Sequence, residues 1–262
     1  MTRRDSKRAI FTFNNGVDLR ELSRKTNLYK NFASFMGRTQ LATSKMTIND
    51  FVSFCDNNSH FLFKPDIGAS GHGIKKYDVT SFDSLDEMFE TLRKDTGILD
   101  PIVYQHEDME QLHKDSVNTI RLFTLRDSNS STTILIAAAL RMGRDGSFVD
   151  NHSAGGILAP VDVNSGVAFA SAEDFYGRRY AFHPDSNTKI VGFKIPNWKK
   201  VLKMVNEASQ IATVPYVGWD VAIRTNDCIL IEANYKPMVN VIQTADGGGK
   251  KSLYKELISE NT

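Results

Sequence analysis

Three stretches of this sequence gather residue types that could do chemistry. The first, FLFKPDIGASGHGI, brings Lys64 next to Gly68, Ser70, Gly71 and Gly73. Glycines let successive backbone N–H groups turn toward an anion, and the lysine adds a point charge suited to phosphate. The lysine precedes the glycines, unlike a Walker loop, and a strand rather than a helix follows, unlike a Rossmann fingerprint. A flexible hairpin loop with a surface lysine would look the same. The second stretch, GWDVAIRTNDCILIEANYKP, puts Asp220 on one expected strand and Glu232 and Asn234 on the next. Residues two apart in a strand share a face, and a turn at Asn226 brings Asp220 alongside them. Three such hard oxygen donors suit Mg²⁺ held jointly with phosphates. Solvated residues on an exposed sheet face are the plain alternative, weakened by the apolar run Ile229, Leu230 and Ile231. The third, AALRMGRDGSFVDNHSAGG, sets Arg141 at a strand end, with Asn151, His152, Gly155 and Gly156 in a loop. A guanidinium fork matches charge spread over phosphoryl oxygens. His152 reads as structural, since no cysteine or second histidine stands at zinc-ligand spacing. No serine or cysteine nucleophile with a local base is evident.

The elements that must position these groups follow from periodicity. Apolar spacing predicts a helix over 18–36 and a capped helix over 47–56, then a short strand at 61–64 and a returning strand at 74–79. A capping box at Ser84 opens a helix ending near Lys94, and 102–105 reads as a strand. Strands at 117–125, 132–142, 156–163 and 166–170 are joined by links too short for crossover helices, which predicts antiparallel pairing. A helix at 197–212, strands at 217–224 and 228–233, and a helix at 252–259 complete the chain. The fold class is α+β: a helical segment over 1–45, a smaller lobe with the glycine-rich loop over 46–108, and a larger antiparallel lobe over 109–262.

Composition narrows the function classes. With 262 residues, 41% of them hydrophobic, the chain can bury an ordinary core. Its 32 basic and 31 acidic residues are interspersed, so no footprint for nucleic acid or an anionic membrane appears. Two cysteines, Cys55 and Cys228, make no disulfide framework and fit a reducing compartment. The start MTRRDSKRAIFTFNNG lacks the apolar core of a signal peptide, and no apolar run is long enough to span a bilayer, so a cytoplasmic protein is expected.

Taken in order, these stretches together with QHEDMEQLHKDSVNTIRLFTL resemble the ATP-grasp superfamily, and closely resemble its sugar-transfer-associated group, found with polysaccharide synthesis genes. The likeness runs over roughly residues 28–243, and its third stretch is also similar to glutamate ligases that modify ribosomal protein. The resemblance implies two α+β lobes gripping ATP. It assigns Lys64 to the α- and β-phosphates, the loop from Gly68 to Gly73 as their cover, and Lys30 as an earlier phosphate lysine. Backbone groups around Gln105 and His106 would meet the adenine, with Glu107 or Asp108 at the ribose, although VYQHED departs from the usual acidic pair. Asp220, Glu232 and Asn234 match the family's Mg²⁺ ligands, Arg141 the basic residue near the γ-phosphate, and Arg121 and Asn151 group motifs for phosphate or acceptor. Lys236-Pro237-Met238 stands where proline-glycine is usual.

The implied reaction is carboxylate–amine ligation through an acylphosphate, joining for instance an amino acid to a carboxylated sugar. Such chemistry needs positioning and charge neutralisation more than a protein nucleophile. A kinase acting on a hydroxyl is the second reading, and a nucleotide-binding module without turnover the third. Fewer than 30 residues precede Lys30, where many relatives carry an α/β domain. A reduced N-terminal region is therefore expected, with part of the acceptor pocket supplied by a second copy in a homo-oligomer or left open for a large acceptor.

Overall fold

Phe61 and Phe63 alternate with Leu62 and Lys64, and that period of two decides which way the lysine faces. In the computed structural model, which describes residues 2–68, 71–127, 132–237, 241, 243 and 251–260, the two phenylalanines enter an aromatic core. Packing divides the chain into two units, residues 20–103 and residues 1–19 with 104–262. The helical segment expected over 1–45 is thus shared between them.

In the unit of 20–103, strands β1 (Leu41–Ala42), β2 (His60–Pro65), β3 (Lys75–Asp78) and β4 (Gly97–Pro101) form an antiparallel sheet in the order β1-β4-β2-β3. Helices α2 (Arg20–Ser23), α3 (Lys25–Met36), α4 (Ile48–Asn57) and α5 (Leu85–Leu92) accompany it. Phe51, Phe54 and Cys55 of α4 and Met88, Phe89 and Leu92 of α5 close on Phe61, Phe63 and Leu99. Thr47 and Asp50 form the capping box of α4, and Ser84 caps α5. The single helix expected over 18–36 is broken at Arg24, which is extended so that its guanidinium reaches Asp66 at 2.9 Å. The strand expected at 102–105 lies earlier, at β4. Gly97 lets β4 close against β2, because a Cβ there would sit 2.4 Å from the Lys64 carbonyl.

In the other unit, seven antiparallel strands run in the order β11-β10-β5-β6-β7-β8-β9. They are β5 (Thr119–Arg126), β6 (Thr133–Met142), β7 (Ile157–Val161), β8 (Ala172–Glu173), β9 (Arg179–Tyr180), β10 (Tyr216–Ile223) and β11 (Cys228–Asn234). The expected strand at 166–170 is reduced to isolated bridges, Val161 with Ala168 and Val167 with Lys194. Helix α6 (Glu107–Leu112) precedes β5, and α7 (Trp198–Ile211) covers one sheet face, where Trp219 and Ser209 both donate to the Thr124 hydroxyl. A first helix, α1 (Arg3–Phe13), lies within the helical segment expected over 1–45, where no bounds were assigned to it, and is capped by Thr2 and Asp5. With α8 (Lys251–Glu260) it packs on Phe123, Leu125 and Tyr216. Asn14 fastens α1 to the sheet by accepting from the Tyr216 N–H and donating to the carbonyls of Tyr216 and Tyr235, all at 2.9 Å. Among the described residues no helix is long and apolar enough to cross a membrane.

Candidate active site

In the unit of 20–103, Lys64 and Asp100 project from the sheet face opposite the aromatic core. Leu62 pairs with Asp100 across β2 and β4, so Lys64, two residues on, is its diagonal neighbour. Lys64 Nζ donates to Asp100 Oδ2 at 2.5 Å. Arg38 grips the same carboxylate with Nε at 2.6 Å and Nη2 at 2.9 Å, and Gln40 adds a bond at 2.7 Å. Burial works to raise the Asp100 pKa, but Lys64 and Arg38 outweigh it and hold the carboxyl well below the usual range. Arg38, Gln40 and Asp100 were not singled out from the sequence, because their side chains converge from segments about 60 residues apart.

The glycine-rich loop begins where β2 ends. Asp66 accepts from the Thr26 N–H, the Thr26 hydroxyl and Arg24, tying the loop's first turn to the start of α3. Gly71 and Gly73 have φ of 76° and 77°, and a Cβ on Gly73 would meet Pro65 at 2.9 Å. The loop thus needs glycine at both positions. Gly68 is exposed, and its carbonyl accepts from Lys25 at 3.5 Å. Ser70 lies outside the described residues. Lys30 is exposed on α3.

Segment 105–108, where a backbone hinge at Gln105 and His106 is expected, is held by several hydrogen bonds. The His106 N–H is bonded to the Ile223 carbonyl at 2.8 Å, which ties the segment to the end of β10. The His106 ring caps α6 by accepting from the Asp108 N–H. The Gln105 side chain donates to the carbonyls of His113 and Ser116 and accepts from Asn118. Glu107 is exposed in the first turn of α6, and Asp108 is half-buried beside His106.

The densest polar cluster lies on the face of the seven-stranded sheet that bears Asp220. Across neighbouring strands, Arg121 of β5 pairs with Asp220 of β10, and Asp220 pairs with Glu232 of β11. Asn234, two residues beyond Glu232, donates to Asp220 Oδ2 at 3.4 Å, and Glu232 shares their sheet face as the cross-strand partner of Asp220. Arg121 forks onto Asp220, Nε to Oδ1 and Nη2 to Oδ2, the latter at 2.7 Å. Gly218 makes room for it, since a Cβ there would lie 3.3 Å from Arg121 Cδ. Arg141 of β6 reaches Asp220 Oδ2 with Nη1 at 2.9 Å, while its Nη2 donates to Asn151 Oδ1 and lies 3.1 Å from Asp150 Oδ1. Asp150 in turn accepts from the Thr119 N–H and hydroxyl. It therefore fixes both the loop and the guanidinium, a role the sequence hid because an aspartate beside an asparagine in a loop reads as turn chemistry.

The electrostatics of this cluster are those of strong pairing under burial. Burial acts to raise the Asp220 pKa, and Arg121 and Arg141 reverse that and keep it ionised. Burial would lower that of Arg141, but Asp150 and Asp220 raise it instead. His152, in a short turn after Asn151, packs its ring 5.9 Å from Phe175, and burial pushes its pKa down.

Two carboxylates and an amide fit Mg²⁺, which takes one or two carboxylates and completes its octahedron with phosphate and water oxygens. A half-turn of the Asn234 amide presents its oxygen to the same point. Among the described residues no group of three His, Cys, Asp or Glu could hold a metal by itself, so this set needs oxygens from a bound substrate or water.

Residues 31–258 match the profile of the sugar-transfer associated ATP-grasp family, and the chain belongs to that family. No curated protein matches it significantly. Among solved structures, it is similar to the ATP-grasp ligase PsnB in complex with minimal precursor, Mg and ADP, at 11% identity and a TM-score of 0.58, over 95% of this chain and 62% of that one. It is also similar to D-alanine–D-alanine ligase from Bacillus anthracis, at 14% identity and a TM-score of 0.52, over 92% of this chain and 67% of that one. At these identities the likeness is one of fold. The chain spans less than two thirds of the length of PsnB.

Proposed function

We propose that this chain is an ATP-dependent, Mg²⁺-requiring ligase that joins a carboxylate to an amine through an acylphosphate. The observation that carries the reading is the convergence of Asp220, Glu232 and Asn234 with Arg121 and Arg141 on one sheet face. Fixed positive forks beside hard oxygen donors are what a transferring phosphoryl group requires. Membership of the ATP-grasp family and the likeness in fold to two ligases, one holding Mg and ADP, support it.

In this reading a carboxylate oxygen of the substrate attacks the γ-phosphorus of ATP, the bond to the bridging oxygen breaks, and ADP leaves. The amine then attacks the acyl carbon, inorganic phosphate departs, and the nitrogen loses a proton to solvent. Asp220, Glu232 and Asn234 hold Mg²⁺, which when bound neutralises phosphate oxygens. Arg141 and Arg121 stabilise charge on the phosphoryl group, and Asn151 serves the acceptor. Lys64 and the N–H groups of the loop from Gly68 to Gly73 take phosphate, with Lys30 as a second lysine. Glu107 or Asp108 takes the ribose. The family's association with sugar transfer supports a sugar-linked carboxylate. A cytoplasmic setting belongs to the same reading, supported by the chain's two cysteines, Cys55 and Cys228, which make no disulfide framework.

A hydroxylamine trap tests this. Incubation with ATP, Mg²⁺ and a panel of uronic acids and amino acids is expected to give ADP together with a hydroxamate. A phosphate ester without hydroxamate would establish the hydroxyl kinase instead. Nucleotide binding with no ADP from any acceptor would establish a non-catalytic module.

A further inference from the structure

Two guanidinium groups contest Asp220. Its side chain is 3% exposed, and both its oxygens are engaged. Oδ1 accepts from Arg121 Nε, while Oδ2 accepts from Arg121 Nη2 and Arg141 Nη1 and lies near the Asn234 amide. A carboxylate offers about four lone-pair positions, and a Mg²⁺ ion needs one aimed at it from about 2 Å. Three donors crowd Oδ2 and the Arg121 fork spans both oxygens, so a metal ion and that fork compete for the carboxylate.

We propose that Arg121 is a tethered counter-cation that competes with the metal ion for Asp220 and is released when the metal binds. This rests on the reading of Asp220, Glu232 and Asn234 as cation ligands. Arg141 is the poorer candidate to leave, because its second nitrogen is anchored on Asn151 and Asp150. Arg121 makes its only side-chain hydrogen bonds among the described residues to Asp220, and its stem runs over the space that Gly218 leaves open. Freeing Arg121 breaks one fork, whereas freeing Arg141 breaks a junction of three residues.

The consequence is coupling between cation and anion. The cluster holds two formal positive charges, on Arg121 and Arg141, and three negative ones, on Asp150, Asp220 and Glu232. A divalent ion turns that balance from negative to positive and leaves Arg121 without its carboxylate. An anionic phosphate chain then answers both, so cation and polyphosphate strengthen each other's binding.

The test is Mn²⁺ binding to the full chain without nucleotide, followed by electron paramagnetic resonance. Arg121→Gln is expected to bind Mn²⁺ about tenfold more tightly than the unaltered protein. Asp220→Asn should abolish binding in both backgrounds. If Mn²⁺ binds at Asp220 but a folded Arg121→Gln protein binds it no more tightly, the competition is overturned while the cation site stands. If no protein binds Mn²⁺, both ideas fall. A second measurement needs no altered protein beyond Arg121→Lys for signal assignment. In nitrogen–proton NMR spectra, added Mg²⁺ should shift the Arg121 Nε–H signal and speed its exchange with water, and leave Arg141 protected. An Arg121 signal indifferent to bound Mg²⁺ overturns the proposal.

Discussion

Lys64 and Asp100 are joined at 2.5 Å, yet Asp100 is already gripped at both oxygens by Arg38. One buried carboxylate thus answers two cations and leaves a surplus positive charge at Lys64, as the proposed phosphate contact needs. Lys64→Met is expected to weaken binding of an ATP analogue about 10- to 100-fold, the worth of a charge-assisted hydrogen bond, as measured by calorimetry. Unfolding should change little, since the Arg38 fork remains. Asp100→Ala strands two buried cations and should cost about 3–5 kcal/mol in urea unfolding.

Arg141→Lys keeps a charge but cannot bridge Asp220, Asp150 and Asn151 at once. Turnover measured as ADP release should fall by about 10²–10³, in kcat more than in KM. An equal loss from Arg141→Lys in nucleotide affinity alone would place this residue in ground-state binding instead.

Asp150→Asn removes the charge that holds Arg141 and the Thr119 hydroxyl. A stability loss of about 1.5–3 kcal/mol is expected in denaturant titration. Because Asp150 acts through Arg141, a combined Asp150→Asn and Arg141→Lys protein should lose less activity than the two separate losses multiplied together.

His183 gives a pH dependence of defined sign. Its Nε2 donates to the Gly143 carbonyl at 2.8 Å, and its Nδ1 accepts from the N–H groups of Asp185 and Ser186. Burial pushes its pKa below the ordinary 6.5. The unfolded chain then binds the proton more readily, so this contribution is full above about pH 6.5 and is lost as pH falls through the folded value. His152 acts with the same sign. Thermal unfolding midpoints should drop between pH 7 and 5, and the drop should shrink in His183→Gln.

Asn14 makes three bonds of 2.9 Å to the backbone of the sheet unit. Asn14→Ala leaves those buried groups without partners and should cost about 1–3 kcal/mol by denaturant unfolding. A change within experimental error would mean that α1 adds little to that unit.

Local pattern explains what the sequence made visible. Helix α7 falls within a residue of its expected bounds because its apolar period is long and unbroken. That Asp220 and Glu232 fall on paired strands was readable because one turn joins β10 to β11. The bounds of helix α1 were not legible within the expected helical segment because Ala9, Ile10 and Phe13 are its few inward apolar residues among many charges. The two-residue strands β8 and β9 are too short to show a period. Arg121 meets Asp220 across 99 positions, a distance at which no spacing rule operates. Lys64 was found, but not the arginine and aspartate that hold it, since those come together only in space.

Helix α1 belongs with β10 and α8, while residues 20–103 pack among themselves. On the ribosome α1 emerges early and waits for partners such as Tyr216 and Tyr254, which are synthesised about 200 residues later. The intervening unit has its whole core in hand by residue 103 and can settle first. The core that α1 shares with Tyr216 and Tyr254 therefore closes after that of residues 20–103.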